Sequence, residues 1–282
     1  MTSETSAADR ERLRRTFTED AELYDRMRPG YPPRMYDDLA ELAGTGPGCR
    51  VLEIGCGTGK ATVPLAEQGC RVVGVELGAE MAAVARRRLA GHPDVEIHVA
   101  AFEEWPLPPE PFDVVLAATA FTWIDPAVRV ARSADALRPG GVLATVATHH
   151  IKGGTEDFFV AAQDCYERFD PSTPPGLRLR PAADIPYDSA ESGGRSTDLK
   201  SGAAPGSDRS EPPVFHRYEW DATYTTEQYL GLLCTYSGHR ALDPEARTGL
   251  LDALGRLIDR DFGGTITKRY LTELRTARRH LG

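Results

Sequence analysis

At 282 residues, with 41% hydrophobic and 27% charged residues, the chain has the make-up of a globular protein with room for one large domain and an appendage. A net charge of −9 disfavours a nucleic-acid grip, which needs a basic face, so "RERLRR" (10–15), "ARRRL" (85–89) and "RTARRH" (275–280) read as solvated surfaces. The five cysteines form no CxxC pair and no stretch is long and apolar enough for a bilayer, so zinc sites, disulfide frameworks and membrane spans are not expected.

In chain order, the first fifteen or so residues are polar and expected to fray. They lack the apolar core of a secretory leader, which makes a cytoplasmic protein with reduced thiols the expectation. Thr16 to Leu42 reads as helical, broken by the prolines of "RPGYPP" (28–33). "CRVLEI" (49–54) is a first apolar run, followed by a helical stretch from Lys60 to Gln68. "RVVGVE" (71–76) and "VEIHVA" (95–100) are further runs, separated by a helix over "AEMAAVARRRLA" (79–90). "FDVVLAAT" (112–119) is a fourth, a helix over 126–141 closes on Pro139 and a glycine pair, and "GVLATVAT" (141–148) is a fifth strand. This alternation predicts a parallel sheet covered on both faces, with its ligand beyond the carboxyl ends of the strands.

After the fifth strand, 155–169 reads as a helix and 187–213 is rich in Ser, Gly, Asp and Pro, the composition of a dispensable surface insertion. "VFHRYEW" (214–220) alternates like a strand, 225–237 and 243–262 carry helix-start signals, and 264–279 alternates again. Helices between two late strands predict a small lid over the ligand edge.

The loop after the first run, "EIGCGTG" (53–59), carries the chemical information. A dinucleotide site spaces its glycines G-x-G-x-x-G so that a pyrophosphate can meet the backbone. Here Gly55, Gly57 and Gly59 alternate, and Glu53 stands just before them. An acid at this place repels a pyrophosphate and suits a cationic, phosphate-free nucleoside such as S-adenosylmethionine. Glu76, ending the second run, is placed to accept both ribose hydroxyls of either cofactor type, so the loop decides between them.

With "AFEEWPL" (101–107), "FDVVLAATAFTWIDP" (112–126) and "LRPGG" (137–141), the sequence resembles the class I S-adenosylmethionine-dependent methyltransferases. "YDRMRPGYP" (24–32) and "YLGLLCTYSGHRAL" (229–242) are similar to the small-molecule branch related to trans-aconitate methyltransferase, so the resemblance spans nearly everything except 187–213. It implies that Gly55, Cys56, Gly57 and Gly59 form the loop against the methionine part and ribose, with Glu53 serving the ammonium side. It gives Glu76 to the ribose, Leu77 and Met81 to the adenine pocket, and Ala118 and Thr119 to the neighbourhood of the sulfonium. Tyr24, Arg28 and Tyr31 would close over the cofactor. Many relatives carry Asp where this chain has Ala101, which leaves adenine to backbone groups, Phe102 and Glu103. Where the A-F-H-W form of the fourth-strand turn has histidine, this chain has Thr122, a poor general base.

Methyl transfer needs alignment and exclusion of water, and a base only when the acceptor must lose a proton. His149 and His150, after the fifth strand, are the candidate bases, pointing in opposite directions. Phe121, Thr122 and Trp123, with Tyr236, Ser237, His239 and Arg240 of the lid, are candidate substrate contacts, and Arg240 could pair with a carboxylate. The sequence therefore predicts a seven-stranded Rossmann-like α/β fold, mostly parallel with an antiparallel last strand. It divides into an N-terminal helical gate (1–45), a cofactor-binding core (46–150) and a lid with final strands (151–282). The expected activity is S-adenosylmethionine-dependent methylation of a small molecule, at a carboxylate or hydroxyl oxygen, without metal, nucleic acid or membrane. A nicotinamide-dependent oxidoreductase and a non-catalytic S-adenosylmethionine-binding protein are the alternatives.

Overall fold

In a computed structural model of the chain, residues 20–187 and 209–281 are described. The polar N-terminal residues read as frayed, and the part of the insertion over 188–208, lie outside the described residues. The insertion's flanks are anchored. Tyr187 receives the Arg217 guanidinium 3.7 Å from its ring centre, Arg209 pairs with Asp135 at 2.7 Å, and the Glu211 N–H donates to the Arg278 carbonyl at 2.8 Å.

Five parallel strands form first: β1 (Arg50–Ile54), β2 (Arg71–Glu76), β3 (Val95–Val99), β4 (Phe112–Ala118) and β5 (Leu137–Gly154). Two later strands, β6 (Val214–Thr225) and β7 (Thr265–Arg278), complete a seven-stranded sheet in the order β3-β2-β1-β4-β5-β7-β6. β7 runs antiparallel to both of its neighbours. The apolar runs at β1 and β4 read as strands because both of their faces are buried. Val51, Val114 and Leu116 enter one core, and Leu52, Val115 and Ala117 the other, as the two-residue period of a strand dictates. The first core lies under α2 (Pro33–Ala43) and α3 (Thr62–Glu67) through Met35, Leu39 and Leu65. The second lies under α5 (Arg129–Ala136) through Val130 and Ala136.

The structure corrects the expectations around β5. The helix over 126–141 is shorter, and "LRPGG" already belongs to the strand, with Leu137 paired to Phe112. The strand does not stop at 148 but runs to Gly154, because β7 pairs with it from Val142↔Arg278 to Gly154↔Lys268. His149 and His150 are thus inside a strand rather than in a loop after it.

Two short helical segments guard the N-terminal side. α1 (Ala21–Met27) is capped by Asp20, whose carboxylate accepts the Leu23 N–H at 2.8 Å. The prolines end it, and Pro33 then starts α2 at its first turn, where a missing N–H costs nothing. α2 is tied to β6 by the buried Asp38, which accepts the Tyr218 hydroxyl at 2.6 Å and pairs with Arg34 at 2.8 Å. α4 (Ala79–Arg88) follows β2 and meets α1 through Met81, Val84, Ala21 and Tyr24. Beyond β5, α6 (Glu156–Phe169), α7 (Thr226–Leu233) and α9 (Pro244–Asp261) share a third core with β7, built on Phe158, Leu232, Leu254 and Tyr270. The four-residue α8 (Ser237–Arg240) links α7 to α9.

Candidate functional site

β1 has β2 on one side and β4 on the other, so the crossovers diverge there and a crevice opens beyond its carboxyl end. Gly55 leaves β1 with φ of 66° and hands its N–H to the Val75 carbonyl at 2.7 Å. A Cβ at this position would stand 2.6 Å from that of Ala120, so only glycine allows the loop to pass the end of β4. Gly57, with φ of 57°, points its N–H at Oε2 of Glu76 at 2.9 Å, while the Gly78 N–H donates to Oε1 at 2.8 Å. The Glu76 carboxylate is thus fixed at the crevice floor by two backbone donors. Burial raises its pKa, against the lowering effect of those donors.

The resulting cleft, about 700 Å³ with the open solvent at its mouth included, is lined by Tyr24, Gly55, Gly57, Glu76, Leu77 and Met81 on the β1–β2 side. Ala101, Phe102 and Glu103 line it after β3, and Ala118, Thr119 and Trp123 after β4. All of these were legible as candidates, Trp123 as a substrate contact. Ile54, Val75, Ala100, Ala120 and Ile124 also line the cleft and were missed. They contribute an alkyl wall or bare backbone, and no residue type marks such a role in sequence. Among the described residues the lining carries two acids and no lysine or arginine. Such a wall suits a cationic nucleoside and offers nothing to a pyrophosphate.

Thr119 follows β4 with φ of 56°, an uncommon conformation for a β-branched residue. Its hydroxyl meets that of Tyr31 at 3.1 Å, and its N–H donates to the Val146 carbonyl at 2.8 Å. Backbone strain at a cleft wall, held by bonds from both sides, is a mark of functional positions.

The remaining candidates lie elsewhere. Glu53 does not line the cleft. Its place in β1 turns it toward α3, where it is 1% exposed and accepts the Thr62 hydroxyl at 2.7 Å. Burial pushes its pKa up to about 8, Thr62 opposing this and Glu76 adding to it. Cys56 is buried beneath β2, and Gly59 packs on α4, where a Cβ would meet Leu89 at 3.2 Å. Phe121 is buried in the core beside α5, and Thr122 shares its 3₁₀ turn without lining the cleft.

Arg28 and Tyr31 sit one side chain back from the cleft. The Arg28 guanidinium donates to the Thr235 hydroxyl and carbonyl at 2.8 and 3.0 Å and lies 4.1 Å from the Tyr236 ring centre and 5.2 Å from that of Tyr24. It thereby joins the N-terminal segment to the α7–α8 region. His149 is buried, and His150 packs edge-on to Phe159 at 4.5 Å with no hydrogen-bond partner for Nε2 among the described residues. Burial and then Lys268 pull the His150 pKa down to about 2. His239 shares a hydrogen bond with the Tyr166 hydroxyl at 3.0 Å, Arg240 donates to the Cys234 carbonyl at 2.7 Å, and Ser237 begins α8. None of these five lines the cleft.

Comparison with known proteins agrees with this geometry. Residues 51–141 match the family described as a methyltransferase domain. An uncharacterized methyltransferase of Mycobacterium tuberculosis is 42% identical over 123 residues, 44% of this chain and 48% of the relative. The trans-aconitate 2-methyltransferase of Rhodopseudomonas palustris is 38% identical over 128 residues, 44% of this chain and 48% of that protein. The chain thus spans about half the length of the curated relatives it matches. In fold, a type II methyltransferase candidate of Anaeromyxobacter dehalogenans superposes with a TM-score of 0.60 at 24% identity, covering 89% of this chain and 97% of that one. No helix among the described residues is long and apolar enough to cross a membrane. The glycine loop, the strand-end acid and these matches identify residues 51–141 as a methyltransferase domain.

Proposed function

We propose that the whole chain transfers a methyl group from S-adenosylmethionine to an oxygen of a small molecule. The observation that carries this reading is the cleft wall, with Glu76 and Glu103 as its charged groups and apolar plates between them. When bound there, S-adenosylmethionine supplies a methyl group on a positively charged sulfur, open to in-line displacement.

The chain's own residues do the rest. Glu76, its carboxylate already oriented by Gly57 and Gly78, holds the ribose hydroxyls on its remaining lone pairs. Leu77, Met81, Phe102 and Ile124 flank the adenine with alkyl and aromatic surface, and Glu103 accepts from its exocyclic amine. Tyr24 and Trp123 cover the open side and keep water from the reacting end. The small-molecule acceptor is supported by the similarity to a trans-aconitate methyltransferase.

Calorimetric titration with S-adenosylmethionine, S-adenosylhomocysteine, NAD and NADP tests the reading. Micromolar binding of the first two, without heat from the dinucleotides, is the expected result. Binding of NAD alone would overturn it. An acceptor panel of hydroxylated compounds, carboxylic acids and amines then tests oxygen as the methylated atom.

A further inference from the structure

The tetrapeptide Gly-Cys-Arg-Val occurs twice, at 48–51 and 69–72, and the fold lays one copy beside the other. β1 and β2 pair in parallel register from Arg50↔Arg71 and Val51↔Val72 onward. The pairing reaches back one residue further, because the Gly48 N–H donates to the Gly69 carbonyl at 3.0 Å and the Arg71 N–H to the Cys49 carbonyl at 2.8 Å. Cys49 and Cys70, both free thiols, therefore stand side by side, each just before its strand. Neighbouring strands lie about 4.8 Å apart, inside the window of about 4.4 to 6.8 Å between α-carbons that a disulfide tolerates.

The two side chains share one face of the sheet. Two residues on from each, Val51 and Val72 lie in the same core as the cysteines, together with Leu65 of α3. The Cys49 S–H donates to the Cys70 sulfur, and the Gly46 N–H donates to that sulfur as well. The turns that carry the pair are tied to each other. The Thr45 hydroxyl donates to the Gln68 side-chain carbonyl at 3.3 Å, and a Cβ on Gly69 would meet Pro47 at 3.2 Å. Cys70 is 1% exposed and Cys49 9%, so a reagent the size of water suits the pair better than a bulky one.

These donors make the sulfurs unequal. The hydrogen bond from Cys49 pulls the Cys70 thiol down to about 7, with burial opposing it and the Gly46 N–H assisting. The same bond, and then burial, raises Cys49. Burial raises the other three thiols, Cys56, Cys165 and Cys234. Cys70 is thus the sulfur that ionises first, and Cys49 is the thiol waiting beside it.

We infer that Cys49 and Cys70 form a peroxide-reactive dithiol, in which Cys70 attacks and Cys49 resolves, giving a reversible disulfide between β1 and β2. The Cys70 thiolate bonds to one oxygen of hydrogen peroxide, the O–O bond breaks, and the departing hydroxide takes the proton that Cys70 had released. The Cys49 sulfur then bonds to the Cys70 sulfur, the S–O bond breaks, and hydroxide leaves as water with the Cys49 proton. Two thiols are oxidised, and peroxide is reduced to two waters. The resolving step stops Cys70 at the disulfide, short of the irreversible sulfinic acid. The pair sits at the amino ends of the strands that lead to Gly55 and Glu76, and neither cysteine lines the cleft. The inference therefore stands independently of the methyl-transfer reading.

Peptide mapping of the full chain tests it. The reduced protein is exposed to hydrogen peroxide, unfolded in the presence of an alkylating agent and digested without reductant. The five thiols should fall by two, with one peptide pair linked through Cys49 and Cys70, and dithiothreitol should restore all five. Five surviving thiols, or a link through Cys56, Cys165 or Cys234, overturns the inference. Quenching early time points into denaturant with dimedone reads the order of events. In Cys49→Ala the sulfenic adduct should accumulate on Cys70, whereas Cys70→Ala should give neither adduct nor link. An adduct on Cys49 in Cys70→Ala reverses the roles and contradicts the inference. If the alanine variants do not fold, the wild-type map decides the link, and the site of the wild-type dimedone adduct, Cys70 or Cys49, decides the attacker.

Discussion

At the scale of single residues, Glu76 does two jobs with one carboxylate. It closes the glycine loop by accepting the Gly57 and Gly78 N–H groups, and it presents its outer lone pairs to the cleft. Glu76→Ala removes both functions and leaves two backbone donors looking for water. Hydrogen bonds to a charged group contribute about 1.5 to 3 kcal/mol each, so cofactor affinity should fall by about 10- to 100-fold or more. Glu76→Gln keeps one carbonyl acceptor and should fall between the two. Calorimetry with S-adenosylhomocysteine reads both variants, and an affinity within about twofold of wild type for Glu76→Ala would remove this residue from the site. Glu53, which looks equivalent in sequence, carries a different prediction because its carboxylate is spent on Thr62 inside the protein.

At the scale of elements, the junction of β5 and β7 bears on everything behind the cleft. Their register slips between Ile151 and Gly154, and Gly154 takes φ of 66° opposite Lys268. A Cβ there would lie 2.2 Å from the Thr267 carbonyl oxygen, a backbone atom that cannot move without unpairing the strands. Gly154→Ala should therefore cost about 2 to 3 kcal/mol in denaturant unfolding, and it should disturb the Lys268–Tyr236 contact before the cofactor cleft. A loss below about 0.5 kcal/mol would mean that the slip is soft. This same junction shows where sequence reading stopped. β1, β2 and β4 could be read locally because burial on both faces makes them continuous apolar runs. The stretch from His149 to Gly154 is polar and glycine-rich, and it is a strand only because β7, more than a hundred residues later, supplies its hydrogen bonds. The cleft divides the same way. Gly55, Gly57 and Glu76 announce themselves by type and spacing, whereas Ala100 and Ala120 serve through backbone position. Arg28 and Lys268 meet at the Tyr236 ring from opposite ends of the chain, a juxtaposition no local pattern encodes.

At the scale of the whole molecule, two buried groups on different elements give stability an arched pH dependence. His150 is a base whose folded value, about 2, lies below its ordinary 6.5. Its contribution is whole above about 6.5 and is lost as pH falls toward 2, because the unfolded chain takes up a proton that the folded one refuses. Glu53 is an acid whose folded value, about 8, lies above its ordinary 4.5, so its contribution is whole below 4.5 and is lost as pH rises toward 8. Each slope is about 1.4 kcal/mol per pH unit, and between 4.5 and 6.5 they oppose and cancel. Above that window Glu53 alone acts, and below it His150 alone. Other carboxylates add their own slopes at low pH, notably Asp113 and Asp221, each held below its ordinary value by an arginine partner against the cost of burial. They cancel when wild type and variant are compared at each pH. Glu53→Gln, which keeps an acceptor for Thr62, should therefore match the wild type near pH 4.5 and exceed it increasingly toward pH 8. His150→Phe should do the reverse, gaining on the wild type only as pH falls below 6.5. Urea unfolding of the three proteins across this range checks both limbs. Parallel curves would mean that these two groups ionise alike in the folded and unfolded chain, and that the stability of the fold owes nothing to keeping them neutral.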